Sequence, residues 1–380
     1  MGRPWVGHPS WELVDDAAAA TGRYIAYLLL DATATELTET RHAQLSTFTL
    51  SMVILDAVER LGISPTICAG HSVGEYAALV AAGAMSFDDG ARVVAERGEA
   101  MQVAADEQPG TMAVVLGLDA LEVANACLRA DDDVWIANDN APAQVVIAGS
   151  PAAVARTGAL CREAGARKII SVPVGGAFHT PYMEPARPRL RKALRDVTFH
   201  APEVPVIANV DARAHPDPAD WPGLLSAQLL RPVRWRSTLL AIADDAPQVV
   251  VELGAGGVLT GLARRTVPGI EALAVASPDD LDVLADRLAG DGPLHTWRAE
   301  HVGEHLYISE RMVVSPCAGV FEPAPAAGLE LPAELAVGDL LGSVATEDVR
   351  TPFAGQLMGV LAVAGERVQL GQPIAWLRVS

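Results

Sequence analysis

Residues 68–83 read CAGHSVGEYAALVAAG. A short apolar run over 66–69 leads into Gly-His-Ser-Val-Gly, and strong helix formers follow. Glycines two residues either side of Ser72 allow a tight strand-to-helix turn that lifts the hydroxyl out of a sheet. The N–H of Val73 would then face an oxyanion forming at the acylated serine, with the helix dipole behind it. A bare G-x-S-x-G also arises by chance in a chain with 33 glycines. The strand before it and the helix after it favour the catalytic reading.

The chain has 380 residues, half of them apolar, enough for roughly one to three domains with a sizeable core. No apolar run reaches membrane-spanning length, and the N-terminus MGRPWVGHPSWELVDD has no signal-peptide core. A cytoplasmic protein without membrane association is expected. The net charge of −19 excludes a nucleic-acid binder, which needs a basic face. Cys68, Cys127, Cys161 and Cys317 form no CxxC pair and no metal spacing with histidine, so no metal is expected. Lysine occurs only at 168 and 192.

Outward from the serine, helical patterns cover 10–22 and 43–62, and a further helix follows at 87–105. Residues 110–177 read β-α-β-β-α-β, the order of a ferredoxin-like unit inserted into a larger domain. Strand-like VPVIANV (204–210) and QVVVELG (248–254) resume the alternation, which implies an α/β core with a mostly parallel sheet. The expected division is a core over 1–109 and 178–293, the insert over 110–177, a linker over 294–310, and a β-rich tail over 311–380. In the tail SPCAGVFEP (315–323) echoes TPFAGQLMG (351–359), and AVGDLLGSV (336–344) echoes RVQLGQPIAWL (367–377). Such a repeat predicts two similar hairpin-rich halves.

A serine nucleophile needs a base. His71 adjoins Ser72, but consecutive residues in a turn point apart, so it reads as positional. His179, in the glycine-rich loop GGAFHTPYM, is the better candidate, although a lone histidine after a strand is often structural.

With GHSVGEYAALVAAG (70–83), ERGEAMQ (96–102) and AFH (177–179), the chain resembles the malonyl-CoA:acyl carrier protein transacylase family. AQL (43–45), NDNAPAQVVIAGS (138–150), IANVDA (207–212), LLRPVRW (229–235) and ELGAGGVLTGL (252–262) extend the resemblance over about residues 10–290. The resemblance implies Ser72 as nucleophile, His179 as base oriented by a main-chain carbonyl, and Val73 N–H as an oxyanion donor. It implies Arg97 as the group holding the malonyl carboxylate, with Gln44, Asn138 and Asn140 lining the pocket. Phe178 before the histidine leans towards malonyl, since related polyketide acyltransferases pair Phe with malonyl and Ser with methylmalonyl. A guanidinium suits a carboxylate, because the pair is bidentate and charge-assisted. Spacing alone leaves Arg97 equally readable as an exposed helix arginine beside Glu96 and Glu99.

The implied reaction moves a malonyl group from malonyl-CoA to the phosphopantetheine thiol of an acyl carrier protein, with no cofactor. Arg187, Arg189, Arg191, Lys192 and Arg195 form a candidate docking patch for that acidic carrier, or an ordinary solvated helix face. Family members carry a strand and a Gly-Gln-Gly-Ser-Gln segment before the Met-Gly-Arg at which this sequence begins, so the second oxyanion donor is expected to be missing. Two alternatives stand beside the main reading: a trans-acting polyketide acyltransferase with another acyl choice, and a catalytically impaired scaffold. The tail resembles a biotinyl/lipoyl carrier domain, but SVATEDVR (343–350) occupies the expected tip and no lysine follows Lys192. Neither biotin nor lipoyl attachment is expected there. The tail reads as a barrel-sandwich docking module, for a carboxylase or synthase component, or as a solubility appendage.

Overall fold

The computed structural model describes residues 1–130, 133–288, 310–324, 333–345, 347–369 and 371–378. All but the last residue of the expected linker, 294–310, lies outside them. The chain forms two units. One comprises Met1–Val6, Glu12–Ile54 and Pro65–Ser277, and the other Gly7–Trp11, Leu55–Ser64 and Pro278–Ser380.

The first unit opens with α1 (Glu12–Thr21), α2 (Ile25–Leu30) and α3 (Thr40–Glu59), the last turn of α3 counting with the second unit. Then come β1 (Cys68–Ala69), α4 (Gly74–Ala81) and α5 (Phe87–Glu107). Ser86 caps α5 by accepting the Asp89 N–H at 3.1 Å, and Asp88 and Asp89 oppose the positive end of the helix dipole. The buried stripe of α5 runs through Gly90, Val93, Val94, Arg97, Met101 and Ala104. Arg97 thus occupies a core-facing position of the 3.6-residue repeat.

A four-stranded antiparallel sheet follows, built in the order β2 (Thr111–Leu116), α6 (Ala120–Ala130), β3 (Val134–Ala141), β4 (Gln144–Gly149), α7 (Pro151–Glu163) and β5 (Lys168–Val172). Its strand order is β3-β4-β2-β5. Val115, Val123, Val145, Ile147 and Cys161 fill the space between sheet and helices. The entry and exit of this segment touch: a Cβ on Gly110 would lie 2.6 Å from that of Ala177. Register shifts in β3 on either side of Asn138 and Asp139 mark irregularities of the kind that re-aim side chains.

After a 3₁₀ turn (Pro181–Ala186) come α8 (Arg187–Arg195), β6 (Val206–Ile207), α9 (Trp221–Gln228), α10 (Trp235–Asp244), β7 (Val249–Leu253), α11 (Val258–Thr266) and β8 (Glu271–Val275). The expected mostly parallel sheet is present only as two separate two-stranded ladders among the described residues, β1 with β6 and β7 with β8, both parallel. The first ladder is short because β1 ends at the Gly70 turn, and the chain folds back after β6 with Ala212 at φ 58°. β8 is a strand with no counterpart in the sequence reading.

The second unit holds α12 (Asp279–Leu288) and strands β9 (Glu310–Val314), β10 (Gly319–Pro323), β11 (Ala333–Leu335), β12 (Leu340–Val344), β13 (Glu347–Arg350), β14 (Gly355–Val360), β15 (Arg367–Val368) and β16 (Pro373–Arg378). They form two four-stranded antiparallel sheets, β13-β12-β10-β15 and β11-β14-β16-β9. The quasi-repeats hold equivalent places: β10 matches β14 and β12 matches β16, each the inner pair of its sheet. Phe321, Leu341, Val349, Leu357, Ile374 and Leu377 form the core of this module.

Candidate active site

Ser72 sits between β1 and α4 with φ 54°, a left-handed conformation unusual for a residue with a Cβ. Only one of the flanking glycines is demanded by space. A Cβ on Gly70 would fall 1.8 Å from the carbonyl oxygen of Gly74, whereas one on Gly74 would meet nothing within 4 Å. Asn209, just beyond β6, braces the turn from below. Its Oδ1 accepts the Ser72 N–H at 2.8 Å, and its Nδ2 donates to Gly70 O at 2.7 Å. The Val73 N–H has no protein acceptor among the described residues, as an oxyanion donor requires.

His179 also has positive φ, 61°. Strained backbone at both positions is the kind that clusters at functional sites. The Ser72 hydroxyl donates to His179 Nε2 at 2.8 Å, and His179 Nδ1–H donates to Gln228 O at 2.8 Å. Gln228 is the last residue of α9, so its carbonyl lacks an intrahelical partner, and the negative end of the helix dipole favours a positive imidazole there. Burial and the Arg97 cation lower the His179 pKa from 6.5 to about 3, which keeps the imidazole neutral and able to accept a proton.

Arg97 is 1% exposed. One of its terminal nitrogens donates to Ser72 Oγ at 3.1 Å and to Gln228 Oε1 at 2.8 Å, and the other donates to Gln44 Oε1. The guanidinium stands 5.5 Å from the centre of the Tyr76 ring. Among the described residues its Nε and the Tyr76 hydroxyl lack a hydrogen-bond partner of ordinary geometry. Among the described residues no carboxylate lies within ion-pair distance of Arg97. A buried cation without a counter-ion in contact is costly. One that can touch the nucleophile is placed to receive an anionic acyl group.

The structure therefore brings Ser72, His179, Arg97 and Gln44 together. Gln44 also donates to Met101 Sδ at 3.3 Å. Asn138 and Asn140 reach His71 instead of the serine. His71 Nε2–H donates to Asn140 Oδ1 at 2.9 Å, and Asn138 Nδ2 is 3.5 Å from the same nitrogen. His71 also packs edge-on against Trp235, with ring centres 5.5 Å apart. Phe178 is half-buried, its ring lying over Gly176. In the basic segment Arg187 and Arg191 both donate to Ser226 Oγ, and Arg189 pairs with Glu96 at 2.6 Å. Lys192 and Arg195 are exposed on the last turn of α8.

Sequence reasoning missed Gln228, Asn209 and Glu75. Glu75 is 1% exposed and accepts the Asn209 N–H at 3.1 Å and Gln228 Nε2–H. Its one outward signal is an acid inside the apolar run GEYAALVAAG. Burial pushes its carboxyl up to about 7, against the hydrogen bonds from Gln228 and Asn209.

The family described as the acyl transferase domain matches residues 6–286. The malonyl CoA-acyl carrier protein transacylase of Salmonella typhimurium is 38% identical over 270 residues, covering 70% of this chain and 87% of that one. The crystal structure of an acyl carrier protein S-malonyltransferase from Vibrio cholerae superposes with a TM-score of 0.72 at 36% identity, covering 75% of this chain and 94% of that one. A malonyl-transacylase solved in complex with a type II polyketide acyl carrier protein gives 0.73 at 34% identity, covering 76% and 94%. The chain belongs to the malonyl-CoA-acyl carrier protein transacylase family of acyl transferase domains.

Proposed function

We propose that this chain transfers a malonyl group from malonyl-CoA to the phosphopantetheine thiol of an acyl carrier protein, through an acyl-Ser72 intermediate. The observation that carries this reading is Arg97: buried, without a contacting carboxylate among the described residues, and 3.1 Å from Ser72 Oγ. A malonyl group esterified to Ser72 carries its free carboxylate back towards that guanidinium. An acetyl group has nothing to offer it, and the unpaired cation penalises that substrate.

Ser72 Oγ attacks the thioester carbonyl carbon as its proton passes to His179 Nε2. The Val73 N–H faces the oxyanion. The tetrahedral intermediate collapses, the thioester C–S bond breaks, and CoA leaves with the proton from His179. In the second half the carrier thiol gives its proton to His179 Nε2. The thiolate attacks the acyl carbon, and Ser72 departs and recovers the proton. Gln228 O holds His179 Nδ1–H throughout.

The carrier docks by the exposed end of α8, at Arg191, Lys192 and Arg195, in this reading; Arg189 is engaged by Glu96. The segment 110–177 is a ferredoxin-like insert, supported by its β-α-β-β-α-β order and strand order β3-β4-β2-β5. The tail is a barrel-sandwich module of biotinyl/lipoyl type without an attached group, supported by its interleaved half-repeats. Its role is docking a carboxylase or synthase component.

Steady-state transfer from malonyl-CoA to holo acyl carrier protein tests the reaction. Parallel double-reciprocal lines, lost in Ser72→Ala, are expected of a ping-pong path. Intersecting lines with activity retained in Ser72→Ala would refute it. Arg191→Glu with Lys192→Glu should raise the carrier KM and spare loading by malonyl-CoA.

A further inference from the structure

Gln228 joins His179, Arg97, Ser72 and Glu75. Its main-chain oxygen takes His179 Nδ1–H, its Oε1 takes Arg97, and its Nε2 donates to Ser72 O and Glu75. An amide can present its oxygen and nitrogen either way round, so something must fix which end faces the guanidinium. An ionised carboxylate is acceptor-only, so Glu75 holds the NH₂ end and leaves the oxygen for Arg97. Its other oxygen takes the N–H of Asn209, whose side chain braces Gly70 and Ser72. No step of the transfer chemistry uses this acid.

We propose that Glu75 is the positioning residue of the site, its buried carboxylate setting the Gln228 amide and, through it, the malonyl-binding guanidinium of Arg97 and the seat of His179. The inference rests on the Ser72–His179 reading above.

Protonation undoes this arrangement. A carboxylic acid must donate its proton, and the acceptor at hand is the Gln228 amide oxygen, which Arg97 then loses. The charged and titratable groups around Glu75 are Arg97 on α5, which favours its anion, and Asp211 after β6, which disfavours it. Tyr76 beside it, His71 in the turn and His179 on the facing loop complete the set. Burial raises the Tyr76 phenol and lowers both histidines, so all three stay neutral near pH 7. The Glu75 carboxyl, pushed up to about 7, changes charge near neutrality.

The test is the rate of malonyl loading from malonyl-CoA, read by quenched intact-protein mass between about pH 5 and pH 9 for wild type, Glu75→Gln, Glu75→Asp and Ser72→Ala. Wild type should lose rate on the acid side with a midpoint near 7. Glu75→Gln places an NH₂ against either Asn209 N–H or Gln228 Nε2. It should lose on the order of 10²-fold in loading at alkaline pH, with kcat down and KM for malonyl-CoA up together, and the acid limb should disappear. Glu75→Asp keeps the charge and should retain the limb at an intermediate rate. If Glu75→Gln is unfolded by circular dichroism, the pH limb of Glu75→Asp decides alone. Wild-type rate and pH profile in Glu75→Gln, with Ser72→Ala inactive, would overturn this inference alone. Loading that persists in Ser72→Ala would overturn the underlying reading instead.

Discussion

Ser72 and His179 meet at 2.8 Å from two regions of opposite construction. The nucleophile side is local: β1, the Gly70 turn and the start of α4 lie within about a dozen consecutive residues, and the space that forbids a side chain at Gly70 is filled by Gly74. The base side is assembled from distant segments. His179 follows β5, its anchor is the C-terminal carbonyl of α9, and Arg97 arrives from the buried face of α5. Asn209, Gln228 and Glu75 are the ties between the two. A local site tolerates little substitution at its own residues, whereas an assembled one spreads its precision over supports that never touch the substrate.

That contrast orders the expected losses. Ser72→Ala and His179→Ala should each reduce transfer by roughly 10⁴–10⁶-fold, since they act as one unit, and a double mutant should be scarcely worse than either. Additive losses in that double mutant would break the pairing. Arg97→Ala should lower kcat/KM for malonyl-CoA by about 10²–10³-fold while acetyl-CoA is loaded better than by wild type, because the penalty on a neutral acyl group is removed. Competition between the two thioesters measures it. Gln228→Ala keeps the main-chain carbonyl that seats His179 and loses the side-chain links to Arg97, Ser72 O and Glu75. It should cost on the order of 10²-fold, as Glu75→Gln does, with the KM for malonyl-CoA raised. A loss as deep as that of His179→Ala would show that the carbonyl is not the anchor.

The smallest effect is on stability. The Glu75 carboxyl is raised from 4.5 to about 7 in the fold, so the folded chain binds its proton more tightly than the unfolded chain. Its contribution is fully present below 4.5 and is lost as pH rises through about 7. The wild type should therefore gain on Glu75→Gln by a few degrees in Tm between about pH 8 and pH 5. His179 has the opposite sign. Lowered from 6.5 to about 3, it contributes above 6.5 and loses that contribution as pH falls towards 3.

The same contrast explains what the sequence disclosed. The nucleophile turn was legible because one short motif carries its own steric reason. The β-α-β-β-α-β order of 110–177 was legible because its strands and helices alternate at clear periods. The Gln228 carbonyl that seats His179 is not legible, because a main-chain carbonyl does that work whatever side chain it bears. Spacing alone leaves Arg97 readable as buried or exposed and the resemblance favours the buried reading; its place on the apolar stripe of α5, shared with Gly90, Val93, Val94, Met101 and Ala104, is the signal within the sequence. Asn138 and Asn140 are implied as pocket-lining residues by the family resemblance alone. Their side chains lie by His71, the neighbour of Ser72, on the irregular stretch of β3.

The measurement that bears most directly on the account is intact-protein mass spectrometry after brief incubation with malonyl-CoA or acetyl-CoA, followed by peptide mapping. The account predicts a malonyl-sized adduct on the peptide bearing Ser72, absent from Ser72→Ala, released by holo acyl carrier protein, and far weaker with acetyl-CoA. No adduct on the folded protein, or an adduct that survives Ser72→Ala, would contradict it.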